Sequence, residues 1–300
     1  MGIGDVYEVD GVADCYYVDT GMYDTPEYGS VYLLDAERPA IVDSGIGTNH
    51  ERVLAGLESV GIAPEDLEAV LLTHVHLDHA GGAGFIAEET GADVYVHESG
   101  AEFLSDPERI WKGTKAAVGD QIRYYTEPKP VPVDAIEPIH DGATVDLGSA
   151  SLTARHAPGH AFHQVVFRDR EASAVFTADA AGIYVPARGE VRETSPPPGF
   201  DLEQVVADTR SIVRMAPETL CYAHFGDAPA DDRLSEYVDV VTRWVEAVAR
   251  KREELGDDAA VVEHFVEVTD VGEVWGDAKA DGEVAINVRG VLRYLDEREA

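Results

Sequence analysis

The 300-residue sequence predicts an α/β chain folded as a four-layer αββα sandwich, and two observations carry that expectation. Short β-branched and aromatic runs fall into two groups, one in the first hundred residues and one after residue 150, so two sheets are expected. Helical periodicities follow and flank both groups, which leaves helices to cover the outer faces. A hydrophobic fraction of 45% is ample for the core that such layers need.

The elements follow in order. Val6–Val9, Cys15–Val18, Val31–Leu34 and Ala40–Asp43 are separated by Gly, Asp and Pro and read as successive strands of one sheet. Between about Asn49 and Val60, the residues Val53, Leu54, Leu57 and Val60 recur at helical spacing. Ala69–Leu72 reads as a buried strand, followed by another helix and by the strand Ala92–Val96. Residues 98–135 break this rhythm with a short helix around Trp111, then Tyr124, Tyr125 and the proline-rich Glu127–Pro132. An insertion of this length is a candidate lid. Strand character returns in Ser151–Ala154, Gln164–Phe167 and Ala174–Thr177, before helices near 201–214 and 231–255. Gly256 to Ala300 adds two helix-like patterns around an acidic linker. The expected organisation is one αββα domain over residues 1–230, with residues 231–300 as a helical extension packed on the same domain.

Composition narrows the setting. Fifty-eight acidic residues against 23 basic ones give a net charge of −35, spread along the whole chain, and only five residues are lysine. A uniformly acidic, lysine-poor surface suits concentrated salt, where self-repulsion is screened, so a halophilic cytoplasm is expected. Nucleic-acid binding normally wants a basic patch, so no nucleic-acid partner is expected. The amino terminus lacks a basic start and an apolar core, and no window approaches eighteen uninterrupted apolar residues; the expectation is a soluble, cytoplasmic protein without a membrane partner. Cys15 and Cys221 sit in apolar strand-like runs and are expected as buried free thiols.

The chemistry concentrates in Leu72-Thr73-His74-Val75-His76-Leu77-Asp78-His79-Ala80-Gly81-Gly82, which packs three imidazoles and a carboxylate into six residues behind an apolar run. In an extended chain, side chains at i, i+2 and i+4 share a face, so His74, His76 and Asp78 are expected to project together. A helix beginning near Asp78 would re-aim His79 toward a neighbouring point, and two adjacent metal centres become possible. Further ligands should come from strand ends elsewhere. Pro158-Gly159-His160 puts a histidine on a tight turn, Thr177-Ala178-Asp179 puts a carboxylate after an apolar strand, and Tyr222-Ala223-His224 puts a histidine after another.

In this set and order of residues the chain resembles the metallo-β-lactamase superfamily over roughly residues 15 to 230. The resemblance implies that His74, His76 and His160 hold one metal, that Asp78, His79 and His224 hold the other, and that Asp179 bridges them. It also implies that Asp43, in the strand ending Asp43-Ser44-Gly45, orients a ligand histidine. Imidazoles and carboxylates suit Zn, Fe or Mn alike; two divalent ions, zinc first, are the expectation. Two such cations would lower the pKa of a bridging water and polarise a substrate carbonyl, with Asp78 and Asp179 helping to orient the nucleophile. His163 is a candidate for substrate contact, and Tyr184 for donating a proton to the oxyanion or leaving group. His50, His97, His140, His156 and His264 fall outside the motif pattern and read as surface or structural.

The motif forms look like the glyoxalase II, lactonase and general-hydrolase branches, so hydrolysis of a small-molecule ester, thioester or lactone is expected. The chain shows no evident basic cluster for a glutathione-like thiol or a coenzyme A phosphate. A mononuclear iron persulfide dioxygenase and a two-metal phosphodiesterase or nuclease are the alternatives. Nothing in the sequence sets the oligomeric state.

Overall fold

A computed structural model describes residues 2–299. Seven strands build the first sheet, in chain order: β1 (Val6–Glu8), β2 (Cys15–Asp19), β3 (Ser30–Leu34), β4 (Ala40–Val42), β5 (Ala69–Leu71), β6 (Asp93–His97) and β7 (Ile136–Ile139). The first four strands pair antiparallel, whereas β4 through β7 run parallel, as crossovers through helices require. Those crossovers carry α1 (His50–Ser59), α2 (Leu77–Ala80), α3 (Ala83–Thr90), α4 (Ala101–Ser105) and α5 (Glu108–Val118).

The second sheet contains β8 (Thr144–Asp146), β9 (Ser151–His156), β10 (Val165–Asp169) and β11 (Ala174–Ala178). A small hairpin, β12 (Ile183–Val185) with β13 (Glu190–Arg192), and α6 (Leu202–Met215) then precede β14 (Thr219–Tyr222) and β15 (Gly226–Pro229), giving the sheet order β15-β14-β11-β10-β9-β8. The chain ends in α7 (Arg233–Leu255), α8 (Asp258–Val268), α9 (Gly272–Trp275) and α10 (Asp277–Glu299).

Period-two alternation sorts the strands into layers. Tyr32, Val42 and Leu71 meet Phe167, Phe176 and Cys221 between the sheets. On the other face of the first sheet, Leu33, Ile41 and Val70 pack against Val53 and Leu57 of α1 and Ile86 of α3. On the other face of the second, Val166, Val175 and Leu220 pack against Ile212 of α6, Val241 of α7 and Val288 of α10. The helices after residue 231 therefore share one core with the second sheet. Cys15 and Cys221 are buried free thiols in the inter-sheet layer. Among the described residues no helix is long and apolar enough to cross a membrane.

One local expectation changes. The motif strand stops at Leu71, and His74 and His76 lie on the loop beyond it, not on an extended strand. The helix α2 begins at Leu77, so His76 is its N-cap and Asp78 and His79 already belong to its single turn. Side chains two apart are thus gathered by a loop that curls around the site, and the rings of His74 and His76 lie edge to face at 4.6 Å.

Candidate metal centre

Loops leaving the ends of several strands converge at one seam of the sandwich. His160 follows β9 on a turn pressed against α6: a Cβ on Gly159 would stand 2.3 Å from the Val205 backbone nitrogen, so only glycine fits there. The Gly159 N–H donates to Asp208 at 2.7 Å, fixing the turn. Asp179 follows β11, where the ladder shifts register between Phe176 and Ala178 and Ala178 takes a left-handed φ of 48°, turning the next carboxylate into the seam. His224 follows β14 and its backbone carbonyl accepts from the Tyr184 N–H of the neighbouring hairpin.

These side chains form three overlapping groups whose ligand atoms lie within 4.8 Å of one another: His74, His76 and His160; His74, His79 and Asp179; Asp78, His79 and His224. His160 Nε2 stands 3.1 Å from Asp179 Oδ2, and Asp179 Oδ1 lies 3.6 Å from His79 Nε2 and 3.7 Å from His224 Nε2. His224 Nε2 is 3.9 Å from Asp78 Oδ2. The outward nitrogens of His79 and His224 are tied down. Asp43, held at φ 63°, accepts from His79 Nδ1 at 2.9 Å and from the Thr73 N–H at 2.8 Å. His224 Nδ1 lies 3.1 Å from the Tyr28 carbonyl oxygen. Such contacts fix ring orientation and present the remaining nitrogen inward.

The inward atoms are unsatisfied. His74 Nε2, His79 Nε2 and Asp179 Oδ1 are buried without a hydrogen-bond partner, an arrangement too costly to persist unless something else satisfies them. Divalent cations would do so, and the N/O donor set suits Zn, Fe or Mn. Burial and mutual repulsion keep most of the rings neutral, the ligand form: His74 and His160 are driven well below the ordinary histidine value, and His76 falls to about 4. For His79 burial opposes protonation, but Asp179 and Asp43 outweigh it and raise the ring to about 10. Burial also pushes the Asp179 carboxyl up, against the pull of His79 and His224.

A cavity of about 470 Å³ opens from the seam and is lined by His76, Asp78, His160, His163, Asp179 and His224 on that side. His163 is buried, with its ring 5.5 Å from His76, and burial followed by repulsion from His76 lowers it to about 2. Tyr184 does not join the site. Ile183 and Val185 point into the core, so alternation along β12 sends Tyr184 to the opposite face, where its ring stacks on Tyr222 at 5.3 Å beneath the Arg233 guanidinium. His50, His97, His140, His156 and His264 join none of the ligand groups found among the described residues.

Sequence reasoning missed an entire wall of this cavity. Lys279 of α10 is only 6% exposed, its Nζ 3.8 Å from the ring centre of Tyr23 and 4.1 Å from that of Tyr28. It donates to Glu283 at 2.7 Å, and Glu283 accepts from the Tyr28 hydroxyl at 2.8 Å. The available signal was an isolated lysine, rare in this chain, four residues before a glutamate on a helix.

An αββα sandwich with a buried histidine and carboxylate cluster at its seam defines a metal-dependent class of protein. Residues 24–224 match the metallo-β-lactamase superfamily, a family of hydrolases, and the chain belongs to it. It is similar to an uncharacterized protein of Mycobacterium tuberculosis, 36% identical over 159 residues, covering 49% of this chain and 66% of that one. It is similar to a metallo-β-lactamase fold-containing protein of Sulfurisphaera tokodaii, 25% identical over 70% of this chain and 77% of that one. A crystal structure of an archaeal superfamily protein from Sulfolobus tokodaii superposes with a TM-score of 0.72 at 21% identity, over 96% of this chain and all of that one. An acyl-coenzyme A thioesterase of Gallus gallus is 27% identical over 55% of this chain and 61% of its own length. The chain thus spans about two thirds of the length of the mycobacterial relative and somewhat less of the thioesterase.

Proposed function

We propose that this chain is a dinuclear metal-dependent hydrolase that cleaves an ester, thioester or lactone bond in a small molecule. In this reading His74, His76 and His160 would hold one divalent ion, Asp78, His79 and His224 would hold the other, and Asp179 would serve both. The observation that carries this reading is the pair of three-residue groups with the unpartnered Asp179 Oδ1 between them. Two such ions supply an ionised water near neutral pH and polarise the scissile carbonyl. The protein's own contribution is to hold the rings: Asp43 keeps Nδ1 of His79 engaged, the Tyr28 carbonyl does the same for His224, and Asp78 and Asp179 orient the nucleophile. Zinc is the proposed metal. The similarity to a chicken acyl-coenzyme A thioesterase supports acyl transfer to water over phosphodiester chemistry. A net charge of −35 supports a small-molecule substrate over a nucleic acid, and a salt-rich cytoplasm as the working environment.

Elemental analysis of protein purified in high salt, with parallel thioester, lactone and phosphodiester assays, tests the reading. Two ions per chain with acyl turnover are expected. One iron with oxygen uptake on a persulfide would overturn it. Asp179→Ala is expected to keep its fold by circular dichroism while losing at least half of the bound metal and at least about a hundredfold in turnover; a doubly metallated, fully active variant would sink the dinuclear mechanism.

A further inference from the structure

Away from the metal ligands, the cavity runs between two helices. Ile110, Gly113, Thr114, Ala117 and Val118 of α5 line one side, at the i, i+3, i+4, i+7 and i+8 spacing of a single helical face, and Ile286 of α10 lines the other. No residue of α5 is fully buried: Ile110 also touches the core outside the first sheet, and the rest of the apolar stripe faces the cavity. Small side chains at 113, 114 and 117 keep the slot open.

The same helix and the turn that follows it depart from the charge of the whole chain. Residues 108–123 carry Arg109, Lys112, Lys115 and Arg123 against only Glu108 and Asp120, in a chain with 58 acidic and 23 basic residues. Among the described residues none of these four cations forms an ion pair; Arg109 lies over the Phe103 ring at 5.5 Å and Lys115 over Trp111 at 4.6 Å. Arg109 lines the cavity, whereas Lys112 and Lys115 stand exposed on the side of α5 turned away from it. A guanidinium on the cavity lining without an ion pair among the described residues, on a surface with an excess of carboxylates, marks a place where negative charge arrives with a ligand.

We propose that the substrate is an acyl ester or thioester whose apolar acyl chain lies in the slot between α5 and α10 and whose leaving group is anionic, met by Arg109 on the cavity lining. This rests on the hydrolase reading. For a thioester, the water oxygen bonds to the acyl carbon as the carbon–sulfur bond breaks, leaving a carboxylate, a thiol and one proton. No oxidant or second substrate is needed.

The test uses ratios of kcat/KM at one low ionic strength, on zinc-loaded full-length protein with unchanged thermal unfolding. Acetyl and octanoyl thioesters of neutral N-acetylcysteamine report the slot, and octanoyl-coenzyme A against octanoyl-N-acetylcysteamine reports the contact with Arg109. Ala117→Phe is expected to lower the octanoyl-to-acetyl ratio by about tenfold or more. Arg109→Gln is expected to lower the coenzyme A-to-cysteamine ratio by about fivefold. Binding of the non-hydrolysable thioether S-octyl-coenzyme A, measured by calorimetry, is expected to weaken in both variants. Turnover of the panel with both ratios unmoved would overturn the slot and leave the hydrolase standing. Absence of turnover with thioether binding weakened by both variants would keep the slot and discard the hydrolase. Absence of both turnover and binding would remove both.

Discussion

At the scale of single residues, the decisive contacts are those that hold a ring by its outward nitrogen. Asp43 reaches His79 at 2.9 Å while accepting from Thr73, so it both orients the ring and anchors the loop that carries His74 and His76. Asp43→Ala is expected to weaken metal binding by about 10- to 100-fold, read by competition with a chromogenic chelator; unchanged affinity would show that the ring needs no such partner. Tyr184→Phe is expected to leave turnover within about twofold of wild type, since the hydroxyl-bearing ring stacks on Tyr222 outside the cavity. All the clustered histidines and carboxylates were legible in the sequence, because chemistry-bearing residues behind apolar runs stand out. Tyr184 was misread for a physical reason: sequence nearness to Asp179 says nothing about which face of a three-residue strand a side chain takes. Lys279 and Glu283 were illegible, because they reach the cavity only by a helix returning about a hundred residues later.

At the scale of elements, α10 is the piece that completes the cavity, and its docking depends on Gly290. A Cβ there would lie 1.7 Å from the Ser195 carbonyl oxygen, so the helix backbone touches the segment that leads into Pro196–Pro198. Glycine inside a helix ordinarily costs about 1 kcal/mol relative to alanine, yet Gly290→Ala is expected to destabilise by about 2 kcal/mol or more, because the close approach must open; a stabilised variant in urea unfolding would contradict the packing. The Lys279–Glu283 pair adds a pH signature. Burial alone would raise the Glu283 carboxyl, but Lys279 holds it below its ordinary value of 4.5. A depressed value means stability that is full above the ordinary carboxylate range and lost as pH falls through the folded-state value. The stability gap between wild type and Glu283→Gln, on the order of 3 kcal/mol at neutral pH, is expected to narrow below pH 4.5. Long periodic helices such as α1, α6 and α7 were legible to within a residue or two, whereas β8 and the β12–β13 hairpin were not. Three-residue strands at sheet margins bury too little to impose a pattern.

At the scale of the whole molecule, two forces oppose each other. Face-to-face packing of two sheets draws the chain together, and 35 net negative charges push it apart. Raising KCl from about 0.1 to about 2 M is expected to raise the melting temperature by about 5 °C or more, as screening shortens the reach of that repulsion; a flat response would remove the halophilic reading. The seam has a consequence of its own. Its histidines and carboxylates come from the loops after β5, β9, β11 and β14, so they belong to both sheets at once. An ion bound among them would act as a rivet through the two plates of the sandwich. Such a rivet adds about 4 kcal/mol when free metal exceeds its dissociation constant a thousandfold, and nothing when metal is scarce. The heat resistance of this chain would then follow the cell's supply of metal, and a starved cell would hold a looser protein more open to proteolysis.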